Sequence, residues 1–244
     1  MSFLGDVLQY IADNWSGNNG ILDRSIGHLE LSFWSLAIAL LITLPPAVTL
    51  GHVRRGGNVA INVANIGRAL PSFAILVLAY QLTDRIGAVP AIIALVALAV
   101  PPIFTNTYVG LSQVDPELRE AARGMGMSGR QLLRRVELPI AMPLIMAGIR
   151  TAAVQVVATA TLAILIGWAE TPGYYIVVGL SLGNNVQVFA GALVVVVLAL
   201  GVELLLAGTQ RLVVSKGLRR SRGPRWTIEE DLESEVPATE PVPA

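Results

Sequence analysis

Apolar residues in this chain run in long blocks, and the charged ones stand mostly at the ends of those blocks. Five blocks reach the roughly 20 residues that a helix needs to cross about 30 Å of hydrocarbon. They span about Leu29–Leu50, Val59–Leu82, Val89–Leu111, Ile140–Trp168 and Val186–Val214. Pro45 and Pro46 should bend the first, where neighbouring helices can satisfy the freed carbonyls. Arg68 and Pro71 interrupt the second, and Pro101 and Pro102 lie inside the third. Thr83–Ala88 reads as a tight turn, and Ala169–Asn185 as a glycine-rich connection carrying Pro172, Tyr174 and Tyr175. Ahead of the first block, Phe3, Leu4, Val7, Leu8, Ile11 and Trp15 form a stripe opposite Asp6 and Asp13. That pattern fits a short helix on the membrane surface or a frayed polar leader.

The longest polar interruption between two blocks is DPELREAARGMGMSGRQLLRRVELP, Asp115–Pro139. Asp115 is placed to cap a helix whose first residue, Pro116, loses nothing by lacking an N–H. That helix should run through Glu120, Ala121 and Ala122 and break at Gly124 and Gly126. Ser128 followed three residues later by Gln131 is a capping-box pattern, which predicts a second helix ending at Pro139. Two short helices joined by a glycine turn make a knob suited to a partner's groove.

Composition agrees with a chain immersed in lipid. Hydrophobic residues make up 54% and charged residues 14%, against roughly 25% charged in soluble proteins. Net charge is zero, so nothing points to nucleic acid, and the absence of cysteine excludes thiol chemistry and disulfides. The N-terminus lacks the positive region of a cleaved signal peptide, so insertion should rely on the spans. With five spans, Arg54, Arg55, the arginines at 119, 123, 130, 134 and 135, and the cluster Lys216–Arg225 fall on one side. Only Arg24 and Arg85 fall on the other, so the first side is cytoplasmic, the N-terminus outside and the C-terminus inside.

The expected division is an extracytoplasmic segment 1–28, a transmembrane domain 29–214 holding a cytoplasmic loop 112–139, and a cytoplasmic tail 215–244. The acidic, proline-bearing end of the tail buries too little apolar surface to fold and reads as disordered. Lys216–Arg225 is suited to anionic lipid headgroups.

Glu120-Ala121-Ala122, then Gly126, then Val136-Glu137-Leu138-Pro139 resemble the EAA motif of membrane subunits of ABC importers. The run from Pro90 to Gly167, with its VDP, ARGMGM and MAGIRTA strings, is similar to permeases of glycine betaine, carnitine and choline uptake systems. The resemblance implies an all-α polytopic bundle of the type I importer kind (MetI-like), in the plasma or inner membrane of the cell. It implies that Glu120, Ala121, Ala122, Gly124, Gly126, Leu138 and Pro139 form the coupling loop for a cytoplasmic ATPase. In that reading small side chains let the loop seat deeply, Glu120 orients it, and Leu138-Pro139 link it to a gate-forming helix. It further implies a second permease subunit, identical or related, and an extracytoplasmic binding protein that delivers an osmoprotectant. The string GWAETPGYY after Ile166 departs from the family's glycine-rich pattern at the outer gate.

The chemistry within the chain is sparse. Its one lysine, Lys216, is followed by glycine, so no phosphate-binding loop exists and no ATP is hydrolysed here. ATP and Mg would be bound by the partner, and no cofactor or metal is expected in this chain. His28 and His52 fall at opposite membrane faces and cannot share a metal. Intramembrane polar groups are few. Arg150 lies about 16 Å up a helix from Pro139, and Glu203 and Arg68 can reach a similar depth. Glu203 should therefore pair with Arg68 or Arg150, or line a wet cavity, either bracing the bundle or holding one state of a gate. Gly148, Ala152, Thr159, Ala163 and Gly167 allow close helix approach, and with Gln155, Thr159 and Thr161 they suggest a path-lining helix. Trp34, Trp168, Tyr174 and Tyr175 can either guide a quaternary ammonium ion or anchor the interface. The remaining alternatives are an importer of methionine or a phosphonate, and a membrane-embedded enzyme.

Overall fold

The structure, a computed structural model, describes residues 2–17, 19–69 and 71–213. The reading of the tail lies outside these residues. Every regular element among them is helical: α1 (Phe3–Asp13), α2 (Ile21–Val53), α3 (Gly57–Ala69), α4 (Ser72–Thr83), α5 (Ala88–Ser112), α6 (Pro116–Gly124), α7 (Gly129–Leu132), α8 (Leu138–Ala160), α9 (Gly173–Leu182) and α10 (Asn185–Val213). A π turn, Leu133–Glu137, joins α7 to α8, and a 3₁₀ segment, Thr161–Ile166, extends α8. Among the described residues four helices are long and apolar enough to cross a membrane: α2, α5, the run Gly129–Ile166, and α10.

Helix α5 is central, packing against α2, α3, α4 and α8. The buried cluster there is rich in alanine: Ala39 of α2, Ala91, Ala94 and Ala99 of α5, and Ala152 and Ala160 of α8. Small side chains let the backbones approach, which is how helices associate where lipid offers no hydrophobic drive. Gly148 shows the limit of that approach, since a β-carbon there would lie 2.7 Å from both Asn106 Cβ and the Pro102 carbonyl. The Gly148–Ala152 stripe is thus spent on packing inside the chain, against α5.

Several boundaries differ from the pattern-based expectation. The first long helix begins at Ile21, not Leu29, because Arg24, Ser25 and His28 turn inward and find partners. Polar residues satisfied in this way interrupt a hydropathy run without interrupting a helix. The expected second span is two helices, α3 and α4, with Pro71 extended at the cap of α4. Proline there disfavours helical backbone in the residue before it. The helix begun at Ser128 does not end at Pro139 but continues through it into α8. The π turn makes this possible. The Leu138 N–H bonds the Leu133 carbonyl, five residues back, so the chain is already wound wide where the proline ring enters. The expected Ala169–Asn185 connection contains α9, an apolar helix of 10 residues.

Candidate functional site

The knob is built as its residues dictate. The Asp115 carboxylate accepts the Glu117 N–H at 2.8 Å, and Pro116 opens α6. Ser128 and Gln131 form the reciprocal capping box, with the Gln131 side chain accepting the Ser128 N–H at 2.8 Å. Gly126, between them, has φ of +82°, a left-handed conformation that other residues adopt only with strain. Glu120, Ala121, Gly124 and Gly126 are exposed. Ala122 is buried, so its small size serves contact with its own chain rather than a partner's groove. Leu138 is half-buried and Pro139 exposed where the π turn passes into α8.

The inner face of α6 rests on Ala122 and Arg119. Arg119 leads to a charged cluster that pattern reading missed. Its Nε lies 2.8 Å from Glu137 Oε1, and its Nη2 donates to the His52 carbonyl at 3.0 Å. The other Glu137 oxygen accepts from His52 Nδ1 at 2.5 Å. Glu137 is 0% exposed, Arg119 about as enclosed at 9%, and His52 open at 23%. Burial holds the Arg119 guanidinium below the usual arginine value; the adjacent Glu137 charge opposes that shift, and Arg54 and Arg123 add to it. Stripping a buried carboxylate of its partner costs on the order of 3–5 kcal/mol. The π turn is what aims Glu137 inward, because it returns residue 137 to the buried side occupied by Leu132 five residues earlier. Beside the cluster, Arg54 donates to the Val114 carbonyl. A crevice of about 540 Å³ opens between Arg54, Arg55, Arg119, Glu120 and Arg123.

Deeper in the bundle, Glu203 of α10 pairs with Arg150 of α8 through two contacts, Nη2 to Oε1 and Nε to Oε2 at 3.4 Å. Arg150 Nη1 also donates to Gln210 at 2.5 Å, and Gln210 Nε2 donates to the Pro143 carbonyl at 3.3 Å. The pair is about one-third exposed within the single chain and lines a groove of about 680 Å³ with Thr151, Gln155 and Ala199. Thr159 is half-buried. Thr161 lies in the 3₁₀ segment, where its hydroxyl is buried without a partner. Gln155 therefore joins the charged pair, whereas Thr159 and Thr161 do not line this groove. Arg68 belongs to α3, but its side chain lies outside the described residues.

At the far end of α2, His28 is fully buried between the Thr171 hydroxyl and the Val157 carbonyl, each 2.9 Å away. Arg24 lies 3.7 Å over the Tyr174 ring and is tied to the carbonyls of Asn19 and Ala169. The four aromatic residues considered for cation guidance do not converge. Trp168 packs on the main core, Tyr174 and Tyr175 on a separate cluster with Ile21 and Val194, and Trp34 meets Phe33 edge-on.

Comparison with known proteins agrees with this architecture. Residues 36–215 match the family described as "Binding-protein-dependent transport system inner membrane component". The chain is 40% identical over 203 residues to the glycine betaine/carnitine/choline transport system permease protein OpuCB of Bacillus subtilis (strain 168), covering 83% of this chain and 93% of that one. It is 36% identical to the choline transport system permease protein OpuBB of the same organism, covering 88% and 96%. It is 41% identical to the osmoprotectant import permease protein OsmY of Salmonella typhimurium, covering 74% and 76%. A chain of the MetNI methionine ABC transporter has the same fold, with a TM-score of 0.66 at 23% identity, covering 78% of this chain and 94% of that one. The helical bundle, the capped elbow and these likenesses lead to one conclusion: the chain is a multi-pass membrane protein and belongs to the family of binding-protein-dependent transport system inner membrane components, the permease subunits of ABC importers.

Proposed function

We propose that this permease carries osmoprotectants of the glycine betaine, carnitine and choline class, and that its α6–α7 elbow docks a separate ATPase. The observation that carries the docking is the elbow's division of labour. Glu120, Ala121, Gly124 and Gly126 face outward while Arg119 and Ala122 fasten α6 to the bundle. The substrate class rests on relatives between 36% and 41% identical, one named for glycine betaine, carnitine and choline, one for choline and one for osmoprotectants. The arginines of the elbow and of the α2–α3 loop favour a cytoplasmic location for this end, with the N-terminus outside. The chain does no chemistry itself. ATP closes the partner ATPases, the elbow moves with them, and α8 carries the movement toward the pathway. A second permease, identical or related, completes that pathway, and a binding protein delivers solute at the far end.

The test is reconstitution in liposomes with its partner ATPase and binding protein. Uptake of radiolabelled glycine betaine, carnitine or choline is expected, with ATP hydrolysis stimulated by loaded binding protein. Uptake of methionine alone would overturn the substrate class, and failure to recruit any ATPase would overturn the docking.

The Arg150–Glu203 pair serves, in this reading, to hold one state of the gate. Glu203→Gln leaves Arg150 its second partner, Gln210, so the assembled complex should persist. Uptake is expected to fall about tenfold, a step that corresponds to about 1.4 kcal/mol on the rate-limiting barrier. An unchanged uptake rate in that variant would leave the pair no more than a brace.

A further inference from the structure

We infer that Glu137 is a positioning residue for energy coupling, the pin that makes α2 as well as α8 follow the elbow. Chain continuity already ties the elbow to α8 through the π turn. Nothing in the covalent chain ties it to the end of α2, more than 60 positions earlier. The charged cluster supplies that tie. Arg119 rises from the inner face of α6 and holds both the His52 carbonyl and Glu137, while the His52 ring holds the other Glu137 oxygen. Three separate stretches thereby close into one triangle, with both carboxylate oxygens engaged.

The link is stiff for an electrostatic reason. Glu137 is fully enclosed, so parting from Arg119 would leave an ion where water cannot reach it. The Arg119–Glu137 contact is an ion pair, and the hydrogen bond from His52 Nδ1 to the other oxygen is short and directional, so the carboxylate resists sliding. A displacement of α6 must therefore move the α2 terminus and the root of α8 together, and both helices lie against α5. Without the pin, only the single Arg119 bond to the His52 carbonyl would tie the elbow to α2, and the elbow could swing further than α2 follows. ATP would then be hydrolysed with little solute moved.

This inference rests on the proposed docking of an ATPase at α6, and its test separates the two. The complete transporter is reconstituted with each of three variants, Glu137→Gln, His52→Leu and His52→Asn, and solute taken up per ATP hydrolysed is measured. Glu137→Gln is expected to lower that ratio at least tenfold while hydrolysis stays within about twofold of the parent. His52→Leu should lower it severalfold, and His52→Asn, which keeps an N–H near the position of Nδ1, should restore most of it. A brace that only aids folding would change the yield of complex and leave the ratio alone. If Glu137→Gln prevents assembly, the two His52 variants decide the matter, because the Arg119–Glu137 contact survives in both. Parental ratios in His52→Leu, or equal losses in His52→Leu and His52→Asn, would overturn the pin. A parent complex that recruits no ATPase would overturn the docking, and the pin with it.

Discussion

Gly148→Leu is expected to leave almost no monodisperse protein when the permease is extracted into detergent and followed by size-exclusion chromatography. The α5–α8 seam is closed at this point to its limit. A β-carbon on residue 148 would sit 2.7 Å from Asn106 Cβ and from the Pro102 carbonyl oxygen, where ordinary carbon contacts need about 3.5–4.0 Å. Neither obstacle can rotate away, since one is a backbone atom and the other a β-carbon. The helices must therefore separate by about 1 Å, which opens the alanine-lined core above and below. Overpacking costs typically 1–3 kcal/mol, and a leucine wedged against backbone belongs at or beyond the top of that range. Gly148→Ala should already lower the melting temperature measurably. Gly201→Leu on α10 is the control, because no atom of the chain lies within 4 Å of a β-carbon there. Normal recovery of Gly148→Leu would mean that the two helices are not held this closely.

The second large effect concerns the elbow. Gly126→Leu is expected to abolish solute uptake, by a hundredfold or more, in a permease that still inserts and still folds. Within the chain a β-carbon at 126 meets nothing within 4 Å, so no internal clash follows. Two other costs do. A φ of +82° imposes roughly 1–2 kcal/mol on an L-residue, and the side chain would project toward whatever seats on the elbow. Companion variants separate these causes. Gly126→Ala introduces the strain with almost no bulk and should reduce uptake a few-fold. Gly124→Leu introduces bulk next to the same turn, again with open space around the β-carbon and without the positive φ. If Gly124→Leu is as damaging as Gly126→Leu, bulk on the outer face is the cause. Parental uptake in both leucine variants would show that the outer face of the elbow touches no partner.

How much of this was readable from the chain follows from the range of the interactions involved. The elbow was legible because its signals are local: Asp115 before Pro116, a glycine turn, and Ser128 three residues before Gln131 act within single turns of helix. The apolar rods were legible for the same reason, and charges in a hydrophobic run are few enough to narrow the partners of Glu203 to Arg68 or Arg150, of which the structure shows Arg150. Residues whose polarity is cancelled at long range were misread. Arg24 and His28 made the start of α2 look like a surface leader, although Ala169, Val157 and Thr171 satisfy them from the other end of the chain. In the sequence Glu137 stands only as part of a motif string. Its partners come from positions 52 and 119, and its inward aim depends on a turn of i→i−5 type that hydrophobic periodicity does not reveal. The five-residue step from buried Leu132 to buried Glu137, with proline two residues on, was the available clue.

The guanidinium over Tyr174 bears on how solutes are told apart. A methylated ammonium headgroup arriving at that ring would compete with a tethered cation that never diffuses away and that two carbonyls hold down. The ring is a plugged socket. Discrimination between one methylated amine and another must then be made by groups other than this tyrosine, and Arg24→Ala would unplug it.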